Sequence, residues 1–345
     1  MTKRIVLLVA LFGVVGVSLA SAVPRGYAWH DTPTGSTARL RGVSAVSSTT
    51  AWASGSLGTV LRTTDRGATW QSVGPPGTAN LQFRDIEAFD ADHAVILSIG
   101  EATDSRIYVT ANGGQSWTLT FVNQEPGAFY DCMTFFDDRR GLALSDPPDG
   151  QHFRVIATDD GGLHWHVTGL QMPAALPGEF AFAASGQCIT TDHGHRAWFG
   201  TGGGAQARVF RSDDGGASWT VAPTPMNRGP TAGIFALAFR GQQHGLAVGG
   251  DFLLETASPD NFARTDDGGA SWSLLGGAPS EYRSGATWLN GTTALVVGPS
   301  GSDVSTDGGT TWQRFDDGSL DTVDCANANA CWASGANGRV AFLER

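Results

Sequence analysis

An octapeptide of the form Ser/Thr-x-Asp/Asn-x-Gly-x-x-Trp occurs six times in this 345-residue chain. The copies start at Thr63, Thr110, Thr158, Ser212, Thr265 and Ser305, and end at Trp70, Trp117, Trp165, Trp219, Trp272 and Trp312. Their third place is held by Asp65, Asn112, Asp160, Asp214, Asp267 and Asp307. From Trp to Trp the copies lie 40 to 54 residues apart, the spacing of a repeat architecture whose units bury their apolar faces against one another. The octapeptide reads as a hairpin turn between two strands. Its Asp or Asn is expected to accept hydrogen bonds from amides two residues on. Its Gly supplies a backbone conformation that other residues enter only at a cost. Its Trp opens the outgoing strand, with a large apolar face to pack between units. Gly-rich turns with one or two acids make poor calcium cages, so the turn is read as structural, with no metal.

Each repeat then reads as four strands, with the octapeptide between the third and fourth. In the first repeat these are Arg41–Val46, Ala51–Ser54, Thr59–Thr63 and Trp70–Val73. In the third they are Tyr130–Phe135, Gly141–Leu144, Phe153–Thr158 and Trp165–Thr168. Four antiparallel strands per unit make the blade of a β-propeller. The C-terminal run Cys331 to Val340 parallels Ala51 to Val60, yet the chain stops at Arg345 before a fourth strand. Trp29-His30-Asp31-Thr32 resembles the strands that follow the octapeptides, and it precedes the first repeat. The expectation is an all-β, seven-bladed propeller of four-stranded blades, with an N-terminal strand completing the last blade and removing an exposed edge.

The octapeptides resemble the Asp-box (BNR) repeat of sialidases, sortilin-type receptors and several other β-propellers. In those families the box is a structural turn at the blade periphery, so the resemblance implies fold and not function.

Lys3 and Arg4, an apolar run from Ile5 to Leu19, and Ala20-Ser21-Ala22 read as a secretory leader cut after Ala22. Residues 23–345 would then form one exported domain, periplasmic or extracellular and monomeric, with no later stretch apolar enough to span a bilayer. The formal net charge of −11 argues against nucleic acid, whose phosphates need a concentrated basic surface. Four cysteines suit an exported chain. Cys325 and Cys331 flank a short run that reads as a hairpin turn and could pair across it. Cys132 and Cys188 could pair or stay as buried thiols. No Cys/His spacing suggests zinc or redox chemistry, and no cofactor is expected.

Residues that recur in every blade serve the fold, so those decorating one blade are the candidates for function. The loop between second and third strands varies most. It carries Glu101, Asp104 and Ser105 in blade two, Asp146-Pro147-Pro148-Asp149 in blade three, and Asp251, Glu255 and Asp260 in blade five. These loops share one face of a propeller and would ring the channel mouth with carboxylates. Arg106, Arg154 and Arg208 each stand four places before an octapeptide, and Arg339 holds the matching place in blade seven. Guanidiniums in an arc suit bidentate recognition of a partner's carboxylates. The plainer reading pairs each with a neighbouring loop acid such as Asp104, Asp149 or Asp251.

A hydrolase would need paired carboxylates on the same face, for example Asp146 with Asp251, at a separation that decides the chemistry. A sialidase is disfavoured. Of the four tyrosines, Tyr282 follows Glu281 directly, so on a strand the two would point to opposite faces. The Phe-Arg-Ile-Pro element of sialidases is absent, with only a partial echo at Phe153 to Ile156. The His residues show no nucleophile context, and Ser145 lacks a nucleophile-elbow frame.

Over its whole length after the leader, the chain resembles the seven-bladed photosystem II assembly factors (Ycf48/Hcf136-like) and their relatives in non-photosynthetic bacteria. That resemblance implies a non-catalytic assembly or binding propeller with an arginine-rich face toward a protein partner, for which Arg106, Arg154 and Arg208 are the candidates. The sequence reading is therefore an exported propeller that binds a protein on its loop face, with a glycan as a further ligand class. Its alternative is a carbohydrate-active hydrolase using loop carboxylates.

Overall fold

The computed structural model describes residues 26–345; the expected leader lies outside the described residues. Seven four-stranded antiparallel sheets follow one another around a central channel. Their innermost strands are Leu40–Ala45, Gln82–Ala88, Tyr130–Phe135, Ile189–Thr191, Ala232–Arg240, Gly285–Trp288 and Thr322–Asn327. In the seventh sheet the strand Ala28–Asp31 pairs antiparallel with Val340–Glu344, Trp29 lying opposite Leu343. Helix is confined to two one-turn 3₁₀ segments among the described residues. The outer strands start one residue later than the sequence suggested, at Gln71 and His166 rather than at the tryptophans.

The octapeptide turns are closed by a different bond from the one expected. The third-place carboxylate reaches four residues forward, not two: Thr69 N donates to Asp65 Oδ1 at 2.9 Å, and Ser218 N to Asp214 Oδ1 at 2.9 Å. The first-place hydroxyl locks the other side. Thr63 Oγ1 donates to Asp65 and accepts from the Gly67 amide, both at 2.9 Å. An interval of four spans the extra turn residue, and the fifth-place glycine makes that possible at a positive φ (Gly162, 87°). The fourth place also has positive φ; five copies put Gly there, and the first puts Arg66 at 61°.

The tryptophans pack as inter-blade wedges. Trp70 meets Trp332 of blade seven edge-on at 5.9 Å, and Trp117 meets Trp52 of blade one at 6.3 Å. Such edge-to-face pairs add about 0.5–1.5 kcal/mol beyond their area burial. Core clusters accordingly join residues of adjacent blades, such as Leu142 and Phe153 with Phe199 and Trp219. Both cysteine pairs are disulfides, Cys132–Cys188 and Cys325–Cys331. The first staples the inner strand of blade three to the segment entering blade four.

Candidate functional site

The link between blades three and four leaves the ring wall. Residues 181–188 run across the channel and bond to every other blade. Arg41 of blade one donates to Ala184 O at 3.1 Å, and Arg84 of blade two to Ala183 O at 2.7 Å. Ala181 N donates to Asp146 of blade three at 2.8 Å, and Leu237 N of blade five to Gln187 O at 3.0 Å. Gln187 Nε2 reaches Ala286 O of blade six at 3.2 Å and Val323 O of blade seven at 2.9 Å. Within this plug Gly186 takes a φ of 75°, and a Cβ there would press on the Asp85 carboxylate.

The groups that grip the plug are placed by a repeated irregularity. In blades one, two, three and five the first strand shifts register, leaving Arg41, Arg84, Asp131 and Phe235 as the unpaired residues between Leu40/Gly42, Phe83/Asp85, Tyr130/Cys132 and Ile234/Ala236. A bulge re-aims its extra side chain. Here all four line the channel mouth on the face of the loops between second and third strands. Phe235 stacks on Phe182 of the plug at 3.9 Å. Burial lowers the Arg41 guanidinium, and it brings Arg84 down to about 10.

Two cavities open on this face, on either side of the plug. One of 230 Å³ is walled by Arg39, Arg41 and Arg84 and by Phe182, Phe235, Phe252 and Tyr282, with Glu255 at its edge. Beside it, Leu253 and Leu254 are 69% and 53% exposed. The other, of 750 Å³, lies between Glu101, the link Pro126 to Phe129, the plug residues Phe180 to Ala183, and the carboxyls of Asp131 and Asp146. Arg84, Phe182 and Ala183 border both. Burial and the neighbouring Asp146 hold the Asp131 carboxyl well above the usual range, and burial pushes Asp146 up to about 7. A third cavity, of 610 Å³, fills the channel beneath the plug with Asp85, Glu87 and Asp324 in its wall.

The arginine arc is not free to greet a partner. Arg154 pairs with Glu125, and Arg208 with Glu179 in a buried bidentate contact. Arg339 bonds Asp316 at 3.2 Å and Asp31 at 2.9 Å, and Arg106 bonds Thr103 O and Tyr108 Oη. Arg154 and Arg208 are therefore paired with acids of the links between blades and Arg339 with acids of two strands, none of them Asp104, Asp149 or Asp251. Asp149 is folded into its own turn, accepting from Gln151 N and His152 N. Asp251 accepts from Leu253 N at 2.9 Å in blade five. Asp146 thus neighbours Asp131, which sequence reasoning passed over, and makes no contact with Asp251. Asp131 is the one charged residue of the inner strand Tyr130–Phe135, whereas Arg84 shares its strand with Asp85 and Glu87 and does not stand out. Among the described residues no group of three or more His, Cys, Asp or Glu is placed to hold a metal, and no helix is long and apolar enough to cross a membrane.

No family model matches the sequence. A xyloglucanase from Paenibacillus sp is 26% identical over 246 residues, 63% of this chain, and the matched region is 23% of that enzyme's length. Among solved structures, YCF48 bound to a D1 peptide superposes with a TM-score of 0.64 at 14% identity, covering 92% of this chain and 96% of that one. YCF48 from Cyanidioschyzon merolae gives 0.65 at 14% identity, covering 91% and 98%. The GH74 enzyme of Niastella koreensis gives 0.60 at 13% identity, covering 90% of this chain and 53% of that one. At these identities the structural likeness shows the propeller fold and nothing finer.

Proposed function

We propose that the protein is a non-catalytic binding propeller, exported and monomeric, that captures an extended segment of a partner protein on its loop face. The observation that carries this reading is the pair of neighbouring cavities that flank the plug. A pocket walled by arginines and aromatics, exposed Phe252, Leu253 and Leu254, and a second cavity all lie on one face of the ring. Aromatic and arginine side chains in a concave surface are the usual anchors of protein recognition. Arg39 and Arg84 are engaged within the chain, on Asp321 at 2.7 Å and on Ala183 O and Gln82 Oε1, so the aromatic wall of the pocket and the Phe252 loop would take an apolar residue of the partner. YCF48, of the same fold, has been seen with a bound peptide, which supports an assembly role here with a client of its own.

A hydrolase reading draws support from the xyloglucanase relative. The carboxyls speak against it. A glycosidase needs its two carboxyls about 5–9.5 Å apart with a sugar between them, whereas Asp131 and Asp146 crowd each other closely enough to shift each other's ionisation.

The test is capture from an extract of the native host's exported proteins by the wild type and by a Phe252→Ser/Leu253→Asp variant. Both side chains are well exposed, so folding is preserved. A protein retained by wild type alone supports the reading. Equal retention by both, with turnover of β-glucans by the wild type, would replace it with the hydrolase.

A further inference from the structure

The larger cavity holds a group the fold does not use. Asp131 is only 2% exposed, its Oδ2 has no hydrogen-bond donor, and it lines the cavity beside Asp146. A buried carboxylate oxygen left without a donor is costly, on the order of 1–3 kcal/mol or more for a charged group. Burial keeps a proton on the pair where free aspartates have lost theirs. Once that proton leaves, the pair offers a negative charge at the base of an open cavity.

Arg84, from the inner strand of blade two, bonds Ala183 O and Gln82 Oε1 and offsets part of the Asp131 charge, without outweighing burial and Asp146. Glu101 adds a further acid from the blade-two loop. In the link before blade three, Glu125 is paired with Arg154. The plug residues Phe180 to Ala183 carry no charge. The cavity walls are otherwise apolar, from Ile99, Ala128, Phe129 and Phe180.

We propose that the Asp131–Asp146 pocket takes a basic side chain, a lysine ammonium or an arginine guanidinium, of the captured segment. The inference rests on the peptide-binding reading above and specifies its sequence pattern. A segment crossing this face meets the aromatic wall of Phe182, Phe235 and Phe252 on one side of the plug and the carboxyl pair on the other. It therefore presents an apolar and a basic residue on either side of the plug. The apolar walls fit the methylene stem of the basic side chain, leaving its charged end to the carboxyls. Binding a cation in place of a proton makes affinity rise with pH, by about tenfold per unit while the pair still holds its proton.

The experiment is selection from a random heptapeptide library on the whole protein at pH 7.5, followed by affinity titration of enriched peptides between pH 5.5 and 7.5. Enrichment of Lys or Arg, an affinity rise of about tenfold per pH unit, and loss of both features in Asp146→Asn are the expected results. Enriched peptides without a basic residue, or basic peptides whose affinity ignores pH, overturn this inference while leaving this face as the binding site. No enrichment at all overturns both. The wild-type pH series decides the matter even where the Asn variant fails to fold.

Discussion

Gln187 and Ala286 hold each other twice across the channel. The Ala286 amide donates to Gln187 Oε1 at 2.9 Å, and Gln187 Nε2 donates back to Ala286 O at 3.2 Å. A side-chain amide thus does what a neighbouring strand would do, linking the entry to blade four with the inner strand of blade six. Gln187→Ala leaves the Ala286 N–H unmet in the channel. The expected loss is about 1–3 kcal/mol, read by urea denaturation. A loss below about 0.5 kcal/mol, the scale of an ordinary surface substitution, would show that the plug is not clamped.

The two disulfides should differ in worth. Cys132 and Cys188 are 56 residues apart, and Cys325 and Cys331 only 6. Loop-closure entropy then assigns about 4 kcal/mol to the first and about 2 kcal/mol to the second. Cys132→Ser/Cys188→Ser is expected to lower the denaturation midpoint more than Cys325→Ser/Cys331→Ser. Because Cys188 ends the plug, only the first pair should also speed hydrogen exchange at the Gln187 amide. The reverse ranking would mean that the plug's hydrogen bonds alone hold it.

Arg208 and Arg154 occupy equivalent places and are predicted to behave differently. The Arg208 and Glu179 side chains are 9% and 0% exposed, against 29% and 38% for Arg154 and Glu125. Arg208→Ala strands a buried carboxylate and should cost about 3–5 kcal/mol. Arg154→Ala should cost about 1 kcal/mol or less. Thermal melts separate the two, and equal losses would refute the burial argument. A charge reversal at Arg208 is consequently a folding mutation, unsuited to testing partner capture.

What could be read in the chain was what repeats. Six octapeptides specify the turn, the wedge tryptophan and the spacing of strands, and the seven sheets follow. The plug was not legible, because residues 181–188 occur once and have no copy against which to be recognised. The bulges were hidden for a related reason. Arg41, Arg84 and Asp131 look like ordinary alternation until the pairing on both sides is known. The arginine partners did leave a trace: Glu125 precedes Arg154 by 29 residues, and Glu179 precedes Arg208 by the same 29. A repeat offset that joins opposite charges in successive blades is a structural pair before it is a binding surface.

The carboxyl pair gives the protein a pH dependence of definite sign. Asp146 is pushed up to about 7, chiefly by burial, while an unfolded aspartate ionises near pH 4, about its ordinary value. The unfolded chain therefore releases this proton first. The stability that the pair contributes is whole below about pH 4 and is lost as pH rises toward about 7. Above that Asp146 ionises in the folded state too, and any further loss comes from Asp131, which burial holds well above the usual range. Asp146→Asn removes the Asp146 share of the linkage and supplies Asp131 with a permanent N–H donor. The variant should match or fall below wild type at pH 4 and exceed it at pH 8, by on the order of 2 kcal/mol. Denaturant unfolding at the two pH values measures the difference directly. Parallel stability curves for the two proteins across pH 4–8 would show that burial does not hold a proton on the pair.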